Sequence, residues 1–357
     1  HRVRASLQDI QLLAPASVEV DASLTSAIGS VAVSGSGAGT VAANGSVTTN
    51  TIEAEVQAQM LQAHQTANSG TVTVRATNDA DIASLAGTVS GAGQSAAGVA
   101  IATNAIGGDV SATMTDSTLA GSGAVVVDAT TSGTIKSAAA GMAGGSTAGV
   151  AASNTTNAIT STVLAQMTRV TQTAASASVR VQALDSSTIQ SFAGSVGVGS
   201  SAGGGAAFAL NFLGRTALNA DSSKVVKAEV VNSSLRSTGA VQIKGLSTSV
   251  IESIALGVGA SGTTGASGSN TTNLLEDEIT ASWSVGSLNG SATSLLVQAD
   301  DLASVSSLAG NVAAGGTAAF GVAIAVNQVG SAVKANLSGM TLASSATAVT
   351  VDADLRG

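Results

Sequence analysis

"AAGVAIATNAIG" at residues 96–107 decides how this chain is read. The stretch is apolar, nearly free of large side chains, and carries an asparagine near its end. Its text returns as "AAFALNFLG" at 206–214 and as "AAFGVAIAVNQVG" at 318–330. A chain that repeats such a segment is built of like units, and the spacing between them sets the architecture.

Working outward, a motif V-x-V-x-A precedes each copy. It ends at Ala22, Ala76, Ala129, Ala183, Gly245, Ala299 and Ala353, with spacings of 54, 53, 54, 62, 54 and 54 residues. Six residues further on stands I-x-S-x-A, opening at Ile28, Ile82, Ile135, Ile189, Ile251 and Val305. The asparagines Asn50, Asn104, Asn157, Asn211, Asn273 and Asn327 each fall 28 residues after the first anchor. Both anchors alternate with period two, which predicts strands with one face buried. A third strand is expected after each asparagine, where pairs such as Val110/Ala112 and Ile279/Ala281 recur. Two residues beyond those alanines stand Met60, Met114, Met167, Val230, Trp283 and Leu337, all apolar, as a buried ladder requires.

This pattern predicts an all-β chain, a parallel β-helix (β-solenoid) of ~54-residue internal repeats. The whole of 1–357 reads as one elongated solenoid. It holds a partial repeat at 1–22 and repeats at approximately 23–76, 77–129, 130–183, 184–245, 246–299 and 300–353. One period is too long for one plain coil and is expected to hold two or three, giving roughly 12–18 coils and a length of 60–85 Å. The fourth repeat is longer, and the extra residues fall near 213–224. "GRTALNADSSK" there carries Arg215, Asn219, Asp221 and Lys224. It reads as a surface loop whose trimming the fold survives. A helical reading of "AAGVAIAT" stays open because Ala is the best helix former, though Gly, Val and Thr crowd the segment.

Composition fits a thin, finely divided core. The chain has 42 Gly but 1 Trp, no Tyr, 4 Phe, 1 Pro and no Cys, too few large side chains to fill an ordinary interior. Hydrophobic residues still make up 44%, which argues against simple disorder. The absence of Cys excludes disulfides, zinc–thiolate sites and thiol catalysis. A net charge of −8 disfavours nucleic acid as a partner. No stretch reads as a clean membrane span. The chain opens where a preceding period would be ending and stops where the next should begin, so it is expected to be a fragment of a longer array.

V-x-V-x-A, I-x-S-x-A-G and "GGTAAFGVAIAVN" together resemble the repeat region of very large secreted bacterial adhesins, of the filamentous haemagglutinin-like and autotransporter passenger types. The likeness runs from the partial repeat before Ala22 to Ala353. It implies a rod-like β-helix that is secreted or held on the bacterial cell surface and acts in adhesion, aggregation or biofilm formation. The implied partners are other copies or regions of the same adhesin and host or bacterial surface glycans. The outer membrane would be met only through regions outside this chain. The longer fourth repeat and "GASGSNTTNLLEDEITASW" at 265–283, which lacks the glycine-rich text, depart from the pattern.

No catalytic residue and no cofactor is expected. His1 and His64 are the only histidines, and no nucleophile has a fitting base and acid behind it. The six asparagines and Trp283 are expected to be structural: a turn-forming amide that can also stack on its neighbours, and a ladder residue. Among acidic clusters, "NDAD", "LEDE" and "ADD" stand out. Asp79, Asp81, Asp300 and Asp301 follow anchor alanines, are expected to decorate one edge, and are the weak calcium candidates; the bland alternative is a solvated charged edge. A self-assembling extracellular filament or matrix subunit is the alternative function, and a polysaccharide-acting β-helix enzyme a remote third.

Overall fold

The computed structural model describes residues 1–13, 16–121, 123–216, 224–343 and 348–356. Among them there is no helix. The chain is all-β, with its strands paired in parallel in two curled sheets of solenoid character. "AAGVAIAT" is strand, within Ser95–Thr115.

The alternation explains the layout of one unit. Strand Val72–Ala92 carries both the V-x-V-x-A and the I-x-S-x-A anchors, so the two motifs form one uninterrupted strand of 21 residues. Its inward positions hold Val72, Val74, Ala76, Ile82 and Ala86, all buried. The chain crosses at Gly93 and Gln94 and returns along Ser95–Thr115 in the other sheet. Asn104 therefore lies in mid-strand. From Asn211 on the strand ends two residues after the asparagine and a separate third strand follows, as expected, but at Asn50, Asn104 and Asn157 the expected turn does not exist and the expected third strand is the second half of the same strand. A β-strand tolerates this because the Asn104 side chain points inward and finds partners there.

Each residue pairs with its counterpart in the next unit. Asn104 lies between Asn50 and Asn157, and Val125 lies between Val72 and Val179. One period thus advances the stack by one strand spacing. The expectation of two or three coils per period, and with it a length of 60–85 Å, does not hold. The seven levels from Val18 to Val349 span about 29 Å along the stacking direction, while a 21-residue strand reaches up to about 70 Å across it.

Each second strand turns a sharp corner, which ends the strand at Asp9, Gln62, Asp116 and Arg169 and lies within it at Asn232, Val285 and Gly339. Asp9, Gln62, Asp116, Arg169, Asn232, Val285 and Gly339 occupy equivalent corners and all have positive φ, between 48° and 61°. From Val179 onward the long strands are broken in the middle, as in Val179–Asp185 followed by Thr188–Gly199.

The interior has two zones. In the wider one Val, Ala and Met ladders face each other, with Met60, Met114, Met167, Val230 and Trp283 fully buried in line and Leu337 partly buried at the end. A ladder of Ile residues, Ile82, Ile106, Ile135 and Ile189 among them, follows. Beyond it the arms narrow, and alanine is the only apolar side chain of the core, beside buried Ser and Thr. There the sheets approach backbone to backbone. A Cβ on Gly197 would lie 1.9 Å from the Gly204 carbonyl oxygen, and one on Gly259 1.8 Å from that of Ala266. Only glycine fits at such a distance.

Candidate functional site

Two polar devices lie inside the chain. The first is the asparagine ladder. Asn104 Nδ2 donates to Asn157 Oδ1 at 2.9 Å, and the same bond joins Asn50 to Asn104, Asn157 to Asn211, Asn211 to Asn273 and Asn273 to Asn327 at 2.7–2.8 Å. From Asn50 to Asn273 the second proton of the amide goes to the serine of the facing I-x-S-x-A motif, as in Asn157 Nδ2 to Ser137 Oγ, 2.8 Å, and Asn104 Nδ2 to Ser84 Oγ, 2.8 Å; the Ser307 hydroxyl facing Asn327 has no such bond. The amides of Asn104, Asn157, Asn211 and Asn273 so bond the coils above and below and tie one sheet to the other. From Asn104 to Asn273 the amide protons and oxygens are consumed by the fold.

The second device is charged. Lys224 opens strand Lys224–Ser237 and has no exposed surface. It does not belong to a loop. Only Arg215 and Thr216 of the predicted insertion's outer part are described, and Asn219 and Asp221 lie outside the described residues. Lys224 Nζ donates to Asp185 Oδ1 at 2.8 Å and stands 3.1 Å from Asp277 Oδ2. It also donates to Ser247 Oγ at 3.3 Å and to Ser249 Oγ. Asp185 further accepts from the Ser187 backbone N–H and from the Ser161 hydroxyl, both at 3.0 Å. Asp277 accepts from Ser247 at 2.6 Å. Burial alone would drive the Lys224 ammonium down, but Asp185 and Asp277 together outweigh it and hold the group above the ordinary lysine range. The cluster sits where the long strands break, between the Val/Ala/Met zone and the Ile zone.

Next in line is Asp301, which pairs with Ser247 and so with Asp185 on the inner face. It has no exposed surface, and neither carboxylate oxygen reaches a partner with hydrogen-bond geometry, although the Ser331 hydroxyl and the Ala303 backbone N–H lie close enough to act on it. Burial, with Asp277 adding to it, pushes its carboxyl above the usual range.

The four carboxylates expected to share an edge do not meet. Alternation explains why: Asp79, Asp81 and Asp300 fall at odd offsets from their anchor alanine and face outward, whereas Asp301 falls at +2 and faces inward. Asp79 accepts a bond from Ser132 at 2.7 Å, and Asp300 one from Gln298 at 2.9 Å. Burial and the carboxylates of Asp352 and Asp354 raise Asp300. Among the described residues no group of three His, Asp or Glu could hold a metal ion. His64 is exposed, between Gln11 and Thr118 in its ladder.

Asp185, Ser247 and Ser249 escaped the reading of the sequence. Asp185 and Ser247, like Asp301, stand at +2 from an anchor, which the two-residue period already places inside. A carboxylate at that offset was the available signal.

No protein-family model, no curated protein and no solved structure matches this chain.

Proposed function

We propose that the chain is a parallel β-helix with one flattened coil per ~54-residue repeat, and that it serves as a structural repeat region of a secreted or surface-anchored bacterial adhesin, in adhesion, aggregation or biofilm formation. The observation that carries this reading is the register. Equivalent residues pair from unit to unit through the Asn and Met ladders, and the amides of the asparagine ladder bond one another. A protein organised this way offers extended surfaces in place of a reaction centre. The resemblance of its repeats to large adhesins supplies the setting.

The test uses the source cells. Antibody raised against the chain should label intact cells, and its monovalent fragments should reduce cell–cell aggregation. Labelling only after permeabilisation would overturn the surface assignment, and full aggregation under saturating fragments would overturn the adhesive one. A matrix or filament subunit is the second reading, favoured by the large apolar side chains exposed on the outer faces, Val31, Val89, Val312 and Phe320 among them.

A further inference from the structure

The narrow arms are inverted relative to an ordinary domain. Inside they hold alanine, glycine and hydroxyls, several of which, such as Ser153, Thr155 and Ser269, have no hydrogen-bond partner. Their large apolar side chains point outward. On the anchor-bearing sheet, one outward ladder runs Val31, Leu85, Ala138, Phe192, Ile254 and Leu308. Three more outward ladders follow toward the end where the chain crosses at Gly93 and Gln94, through Val33 and Leu256, through Val89 and Met142, and through Val198. At these four positions in all six strands stand only Val, Leu, Ile, Phe, Met, Ala and Gly. Val31 is 72% exposed and Val312 60%. A shallow groove lies over the first ladder, with Lys136 and Glu252 at its rim. The far half of the same face is polar, and there Asp128 takes Arg180 at 3.1 Å and Arg75 at 3.8 Å.

We propose that this apolar half-face is an interface with a second copy of the chain, packed sheet on sheet. Area supports that occupant. Six strands by four outward positions cover roughly 750 Å², close to the ~800 Å² per partner of a stable protein interface and above what monomers leave open. Shape supports it too. Columns of large side chains alternate with columns containing Gly87, Gly194 and Gly310, giving ridges and furrows of the kind that two flat sheets interdigitate about 10 Å apart. A single face on each copy closes a two-fold dimer. Charge speaks against an anionic lipid surface, because the chain carries −8 and the adjoining outward ladder sets Glu252 against its one cation, Lys136. The outer face of the opposite sheet is the weaker candidate, since Thr103, Asn154, Thr156 and Asn270 interrupt it.

The experiment is sedimentation of the chain from roughly 1 to 100 µM, the range in which an interface of this size populates a dimer. A dimer is expected, and the double variant Leu85→Glu with Phe192→Glu should weaken it at least about tenfold, since it buries unpaired charge, with the circular dichroism unchanged. A monomer throughout overturns the proposal. So does a dimer that the variant leaves intact, which would place association at the open strand edges, and so does a monomer that co-sediments with phosphatidylcholine vesicles. Should the variant misfold, the Cys-free chain permits a second measurement. Val196→Cys, at the middle of the patch, should give covalent dimers with a short bis-maleimide, and Gln182→Cys, on the polar half, should not. Equal yields, or no dimer from Val196→Cys, overturn the proposal as well.

Discussion

Replacing Lys224 by methionine tests the buried charge cluster directly. Methionine is close to lysine in length and apolar, so packing changes little while the cation disappears. Asp185 and Asp277, both without exposed surface, then face each other's charge with only serine hydroxyls and one backbone N–H for compensation. Removing one partner from a buried ion pair costs about 3–5 kcal/mol. Two carboxylates depend on this ammonium, so the upper part of that range is expected at pH 7. The triple variant Lys224→Met, Asp185→Asn, Asp277→Asn removes the orphaned charges and should recover most of the loss. The assay is equilibrium urea unfolding followed by circular dichroism at pH 7. A cost under about 1 kcal/mol at pH 7, or a triple variant as unstable as the single one, would refute the argument that charge compensation holds this point of the fold.

Three other outcomes are expected. Asn157→Ala removes a donor to Asn211 and Ser137 and an acceptor for Asn104, and should cost about 2–4 kcal/mol in urea unfolding, whereas Asn327→Ala, at the exposed end with Asn273 as its one amide partner, should cost under about 1. Val285 holds φ = 55°, which a β-branched residue resists, and its side chain is 54% exposed, so Val285→Gly should stabilise by about 1 kcal/mol, read as a raised melting temperature. Asp301→Asn should stabilise at neutral pH. The folded carboxyl sits above its ordinary value of 3.8, so the wild-type penalty is full above the folded value and fades as pH falls to the unfolded one; a melting-temperature gain that persisted at pH 3 would contradict this.

The ladders were legible because stacking repeats one requirement at every level. The inward Met and Val positions and the six asparagines could be counted off the sequence, down to the amide stacking. What misled was the asparagine itself. Read locally, Asn after an apolar run marks a turn, but here the inner partners Ser84 and Ser137, contributed from the other sheet, let it sit in mid-strand. That error divided a 21-residue strand; the surplus of coils came instead from the length of the period, which one flattened coil with two long strands accommodates. The corners were hidden for the opposite reason. Asp116, Asn232 and Gly339 carry turn chemistry, but Gln62, Arg169 and Val285 occupy the same conformation without it, held by the level-to-level pairing on either side. Lys224 was misplaced because an insertion next to a lysine looks like solvent-facing loop. Its three-dimensional neighbours, Asp185 and Asp277, lie 39 and 53 residues away.

The proportions of the coil bear on how such a chain could act. A solenoid with coils of ~20 residues gains about 0.25 Å of height per residue; one that advances a strand spacing per 54 residues gains about 0.09 Å. Projecting a binding end by 300 Å would take about 62 coils, or some 3,400 residues. A stalk of this design is therefore economical only in a very large protein, the class its repeats resemble. What the long coil supplies instead is breadth: two faces up to about 70 Å wide, the anchor-bearing one half polar and half apolar. The arms add little interior burial, since backbone meets backbone at Gly197 and Gly259. Their residues are spent on outward Val, Leu and Phe, which gain from the hydrophobic effect only once another surface covers them. A chain selected for reach alone would shorten the arms; these arms extend a contact surface.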